Sequence, residues 1–165
     1  AAPGTRASIV APTGESKEFV AIKLSAATWV NGVAVIVDGL ASTGVGSPVV
    51  TASGEPVNTI NARLGIVTFA SATATQTMAG TAFGWAQIYG TALAWVSASI
   101  SVAGMQLAIG ANGQLIPAVA QVSASNQTVG ITAIATISSS TPTTSLVAVM
   151  LTYPHFAGFP DANLA

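Results

Sequence analysis

The sequence predicts an all-β protein, a single compact antiparallel β-barrel or β-sandwich. Three observations carry this. Short runs rich in Val, Ile, Thr and aromatic residues recur along the chain, bounded by Gly, Pro, Asn and Ser. Beyond the first quarter, charged residues at helical spacing are missing, and Gly, Ser and Thr interrupt nearly every window that offers a helical period. Each apolar run is short: Val33–Val37 ends at Asp38, and Leu146–Leu151 ends at Thr152.

The strands follow in order. Phe19–Leu24 and Trp29–Val37 come first, with Asn31-Gly32 as a turn or bulge. Val49–Thr51 and Pro56–Asn58 flank Ala52-Ser53-Gly54-Glu55, which reads as a hairpin, and Leu64–Phe69 comes next. Trp85–Ser97 is a long strand with Tyr89, Thr91, Leu93 and Trp95 on one face. Ile88, Gly90, Ala92, Ala94 and Val96 lie on the other, so one face is bulky and the other small. Apolar character on both faces predicts cover on both sides, by a second sheet or a neighbouring subunit. Met105–Ile109 and Gln114–Pro117, joined by Gly110-Ala111-Asn112-Gly113, form the clearest hairpin, because Asn and Gly accept the positive φ of tight turns. Val129–Ile137 and Leu146–Tyr153 complete the set. Ser71–Gly80, Ala120–Thr128 and Ser138–Ser145 read as Ser/Thr/Ala-rich loops.

The predicted β domain spans residues 19–153, with extended arms at 1–18 and 154–165. The N-terminal arm is Pro/Gly/polar, and Tyr153–Pro160 has aromatic residues without a strand pattern. A faint internal repeat aligns Gly46–Val57 with Gly104–Leu115, each followed by a strand, Leu64-Gly65-Ile66 and Val129-Gly130-Ile131. It suggests two similar hairpin units, about 33–97 and 98–153.

Charge is the most informative feature of the composition. Only 5% of the 165 residues are charged, against about 25% in ordinary soluble domains. Between Leu64 and Pro160 there is no Asp, Glu, Lys or Arg. With a net charge of −1, such a surface favours association, which points to a protein that works inside a permanent assembly. Four scattered Lys and Arg residues make neither the basic stripe of a nucleic-acid binder nor a polybasic membrane patch. Mean hydropathy is +0.67, yet no run approaches the roughly 20 apolar residues of a spanning helix. The opening Ala1-Ala2-Pro3-Gly4-Thr5-Arg6 lacks the basic and apolar regions of a signal peptide. There is no cysteine, which excludes disulfides and thiolate chemistry.

The inventory leaves almost no room for catalysis, and no cofactor, metal or small-molecule substrate is expected. The one histidine, His155, sits between prolines without a Gly-x-Ser-x-Gly elbow. The carboxylates Glu15, Glu18, Asp38, Glu55 and Asp161 form no cluster for glycoside hydrolysis or for a calcium site. Glu15 and Glu18 read as solvation of a flexible arm, Asp38 as a turn residue and Glu55 as part of a hairpin loop. Gly44-Val45-Gly46 lacks a phosphate loop around it. Trp29, Trp85 and Trp95 fit core or subunit packing better than a sugar platform, because amide and charged partners are scarce. The interface candidates are Arg6, Glu15 and Lys17 in the N-terminal arm and Trp85, Tyr89 and Trp95 on the long strand. Tyr153, His155, Phe156 and Phe159 join them from the C-terminal segment, since exposed aromatics often anchor interfaces.

The stretch Ile88-Tyr89-Gly90-Thr91-Ala92, then Val102–Ala118 around Gly110-Ala111-Asn112-Gly113, then Val129-Gly130-Ile131-Thr132-Ala133-Ile134-Ala135, carries a resemblance. It is similar to the capsid cement, or decoration, proteins of tailed phages, which place an apolar hairpin around a Gly-x-Asn/Asp-Gly turn before such a strand. The likeness covers about Gly84 to Thr152, and Leu146–Leu151 stands where the closing strand of those proteins lies. This chain departs from the pattern in its few acidic residues and its longer N-terminal region. The resemblance implies a structural virion protein, made in the host cytoplasm, on the outer capsid surface. It would bridge major capsid proteins as a homo-oligomer, a trimer or a dimer with the trimer favoured, with the terminal arms adding contact. A tail or head-fibre module and a secreted carbohydrate-binding or adhesin domain are the competing readings.

Overall fold

The computed structural model describes residues 4–24, 29–37, 45–48, 63–68, 77–78, 83–96, 99–109, 113–118, 127–137 and 146–157. Twelve strands and no helix occur among them. They are β1 (Arg6–Val10), β2 (Ser16–Leu24), β3 (Trp29–Val30), β4 (Ala34–Ile36), β5 (Val45–Pro48) and β6 (Leu64–Thr68). There follow β7 (Thr77–Met78), β8 (Phe83–Ala94), β9 (Leu107–Ile109), β10 (Leu115–Pro117), β11 (Gln127–Ala133) and β12 (Val147–Ala157). Eight strands form one sheet in the order β1-β2-β5-β4-β6-β8-β12-β11, while β9–β10 and β3–β7 form two small pairs. Pairing is antiparallel except between β2 and β5. The protein is all-β, as the sequence predicts, but the barrel alternative fails. The eight-stranded sheet as a whole is not closed, with β1 and β11 at its two ends, although β2 also pairs with β8 and so links β2, β5, β4, β6 and β8 in a ring.

The long strand β8 organises the sheet. Its first half runs between β2 and β6: Ala86 lies opposite Val20 on one side and Val67 on the other. At Tyr89 the inner neighbour changes, and β12 pairs with residues up to Ala94. The β2 register also slips here, between Glu18 and Phe19. Gly90 sits at this junction with φ +88°, and a Cβ on it would lie 2.6 Å from the carbonyl oxygen of Ser16. Only glycine lets β2 come this close.

Two apolar clusters lie on opposite faces of β4 and β6, and β8 contributes its first half to one and its second half to the other. One joins Ala34, Leu64, Ile66, Ala92 and Ala94 to Leu107, Ile109 and Leu115 of the β9–β10 hairpin and to Ile131 and Leu151. The other gathers Val20, Ile22, Val35, Val67, Ala86 and Ile88. β6 is therefore buried at each position from Leu64 to Val67, which explains its continuous apolar run. The hairpin turn around Gly113 docks on β4: at φ +72°, a Cβ there would meet Val33 and would lie 2.7 Å from the Ala34 carbonyl.

Several sequence expectations change: within the predicted Ser71–Gly80 loop, Thr77–Met78 pair with β3 as β7, and the strand predicted at Val129–Ile137 ends at Ala133. Burial alternates along β8 from Ile88 to Val96 as expected, but only the small face is covered, and Leu93 on the bulky face is 42% exposed. Residues 6–10 and 16–18, assigned to an arm, are strands of a β1–β2 hairpin. The Ala11-Pro12-Thr13-Gly14 segment is its turn, closed by a bond from the Gly14 N–H to the Ala11 carbonyl, rather than a linker. Pro154–Ala157, assigned to the tail, continue β12, because β11 supplies their ladder partners as far as Gln127. Residues 127 and 128, assigned to a loop, belong to β11. The predicted hairpin at 49–58, and with it most of the first repeat unit, lies outside the described residues.

Gly113→Ala is expected to cost about 2–5 kcal/mol, from left-handed strain and overpacking together. Gly104→Ala, at φ +83° with nothing within 4 Å of its Cβ, is expected to cost only the strain, about 1–2 kcal/mol. Urea denaturation of the two variants measures the difference.

Candidate interaction site

Strand edges beyond their last partner need their N–H and C=O groups satisfied. β8 outruns β2 at Thr91, and side chains close the gap. The Thr91 N–H donates to the Glu15 carboxylate. Its carbonyl accepts from Lys17 Nζ at 2.9 Å and from Gln87 Nε2 at 2.9 Å. Glu15 and Lys17 also approach within 3.9 Å of each other. Hydrogen bonding from Thr91, through its side chain and then its backbone, holds the Glu15 carboxyl below its ordinary value; Lys17 adds to this and burial opposes it. These two interface candidates thus seal an internal edge.

A different group of residues gathers where β1, β6 and β12 meet. Both arginines of the chain, Arg6 and Arg63, line an open cleft of about 410 Å³ with its one histidine, His155. Tyr153 and Pro154 complete the wall, and Leu64 and Ile88 form an apolar floor. The topology brings them together. Arg6 begins β1 opposite Val20 of β2, and Arg63 forms an antiparallel bridge to His155 just before β6.

The bend in β12 shapes this wall. Thr152, Tyr153 and Pro154 stand opposite Gly130 alone, because the β11 register jumps between Val129 and Ile131. Tyr153 takes φ +51°, the one positive φ at a non-glycine residue among those described. A bulky side chain rarely adopts this conformation, and such bulges re-aim side chains at working sites. Its ring stacks on Tyr89 at 5.0 Å between centroids and 30° between planes. Its hydroxyl donates to Glu18 Oε1 at 2.8 Å. His155 Nδ1 lies 3.1 Å from the Tyr153 carbonyl. A carbonyl only accepts, so Nδ1 carries the proton and Nε2 is left for another partner. Neither guanidinium makes a hydrogen bond or ion pair among the described residues.

The other interface candidates scatter. Trp85 is half-buried between Ala21 of β2 and Thr68 of β6. Trp95 packs beside Gly32, and its buried Nε1 has no hydrogen-bond partner among the described residues. Phe156 pairs with Thr128 in the ladder, and Phe159 lies outside the described residues. Arg63 was missed by sequence reasoning, since an isolated arginine next to an apolar strand carries no motif. No group of three or more potential metal ligands occurs among the described residues. The chain matches no protein-family model, no curated protein and no solved structure.

The bond to Glu18 holds the Tyr153 phenol above the ordinary tyrosine value of 10.0, with burial, the Glu18 charge and Tyr89 adding to the shift and Arg6 opposing it. The raised value means the contact stabilises the fold below pH 10 and is lost as pH rises through the folded-state value. In ultraviolet titration, Glu18→Gln is expected to bring this phenol down and Arg6→Gln to push it further up. Glu15 has the opposite sign: its contribution is present above its ordinary 4.5 and is lost as pH falls through the lowered folded-state value. Glu15→Gln is expected to flatten the acid limb of a stability–pH curve.

Proposed function

We propose that this chain is a structural virion protein of the capsid cement class, binding the outside of a phage shell and bridging major capsid proteins. The reading has two supports, the resemblance over the C-terminal half of the chain and the character of the exposed surface. The observation that carries it is an apolar edge left open. Among the described residues β1 pairs only with β2, and on it Ile9 is 52% and Val10 73% exposed. Leu93 and Tyr153 add exposed apolar surface on β8 and β12. A freely diffusing protein blunts such an edge with lysine, proline or a cover. β1 carries only Arg6 at its start. An assembly that pairs or covers the edge removes the liability, and a homo-oligomer, a trimer or a dimer, does this with one surface repeated.

The mechanism is mass action. A ligand that binds the assembled shell and not its separated subunits stabilises the shell by about 2.7 kcal/mol per site at one hundred times its Kd. Many sites per shell add up, and no catalytic group is required.

Light scattering of the purified chain, followed by co-sedimentation with expanded phage shells, tests the proposal. A stable oligomer that sediments with shells and raises their melting temperature is expected. A monomer indifferent to shells contradicts it and favours a tail module or a carbohydrate-binding domain. Ile9→Lys, which places a charge on the open edge, is expected to lower the oligomer mass without lowering the melting temperature of the chain.

A further inference from the structure

The arginine cleft has a chemistry that the shell-binding proposal does not use. In a chain with four Lys and Arg residues, two arginines 57 positions apart line one cleft together with the one histidine. Two exposed arginines along one cleft give it a local positive character that an anion complements. Both are exposed and make no hydrogen bond among the described residues, whereas Lys17 is engaged at Thr91. The neighbouring acid, Glu18, accepts the Tyr153 hydroxyl and forms no ion pair with either arginine. His155 is oriented by its Nδ1 bond, which leaves Nε2 as the ring's second polar position.

We infer that this cleft binds a carboxylate of an acidic peptide segment from a partner protein. Guanidinium groups match carboxylates as two-pronged donors, and two of them around one cleft can hold a pair of acidic side chains or one in a fork. The apolar floor of Leu64 and Ile88 and the exposed half of the Tyr153 ring take the methylene part of a Glu side chain. A segment of chain fits better than a free small acid. The cleft is open and its arginines are exposed, so it buries too little of a small solute, where dedicated ligand pockets enclose most of theirs. A carboxylate carried on a protein gains the adjoining surface as well. The open edge of β1 starts at Arg6 itself, and an extended segment anchored in the cleft can continue along it. This assignment concerns the chemistry of the ligand and stands apart from the capsid reading, because its test contains no shells.

The test is a titration of the full chain, followed by the NMR signals of the arginine side chains and of His155. The probes are an acetylated, amidated tetrapeptide with two central glutamates between glycines, its glutamine counterpart, and inorganic phosphate. The glutamate peptide is expected to shift the Arg6, Arg63 and His155 signals, with an affinity that falls as salt is added. The glutamine peptide is expected to leave them in place. Arg6→Gln with Arg63→Gln is expected to weaken the glutamate peptide by about tenfold or more, the effect of losing charge-assisted hydrogen bonds. Equal shifts from both peptides, or none from either, overturn the assignment on the unaltered chain, whatever the double variant does to folding. Phosphate binding at the same signals as tightly as the glutamate peptide also overturns it, in favour of a free-anion site.

Discussion

The fold depends on β8 changing partners in mid-strand. Its first half is held on both edges, by β2 and β6, and its second half gains β12 after Tyr89. Such a junction leaves backbone groups without ladder partners, and each unpaired group would cost about 1–3 kcal/mol if buried. Here the shortfall falls on Thr91, and Glu15, Lys17 and Gln87 supply it. Gly90 makes that closure possible, because any side chain there would push Ser16 away. Two of the chain's few charged side chains and one amide thus let one sheet serve two apolar clusters.

Much of this was legible in the sequence. The pairing of β9 with β10, the strand at Leu64, the turn at Asn31-Gly32 and the two-faced character of β8 follow from composition and period. The hairpin at the N-terminus was not. Its turn, Ala11-Pro12-Thr13-Gly14, has the composition of a linker, and only the alternation in Ser16–Leu24 hints at a strand. The exposure of the bulky face of β8 escaped, because its apolar residues read as covered on both sides, whereas Leu93 is exposed. The role of Glu15 and Lys17 depends on a contact between residues 76 and 74 positions apart, which no local pattern encodes.

The cleft is the least legible feature for the same reason. Arg6, Arg63 and His155 have no motif and no common spacing; the sheet order alone assembles them. The β12 bulge opposite Gly130 and the positive φ of Tyr153 are the local price of aiming that wall. The cleft adjoins an apolar edge strand through Arg6, so the charged and apolar parts of the exposed surface form one neighbourhood. That arrangement supports an interaction protein whose few charges serve recognition and closure rather than solubility.

Hydrogen exchange of the chain, free and bound to expanded shells, tests this account most directly. The expected result is slowed exchange on binding in β1 and across Tyr153–His155, with the buried amides of β6 unchanged. Protection confined to other strands, or none on binding, would contradict the assignment of this neighbourhood as the interaction surface.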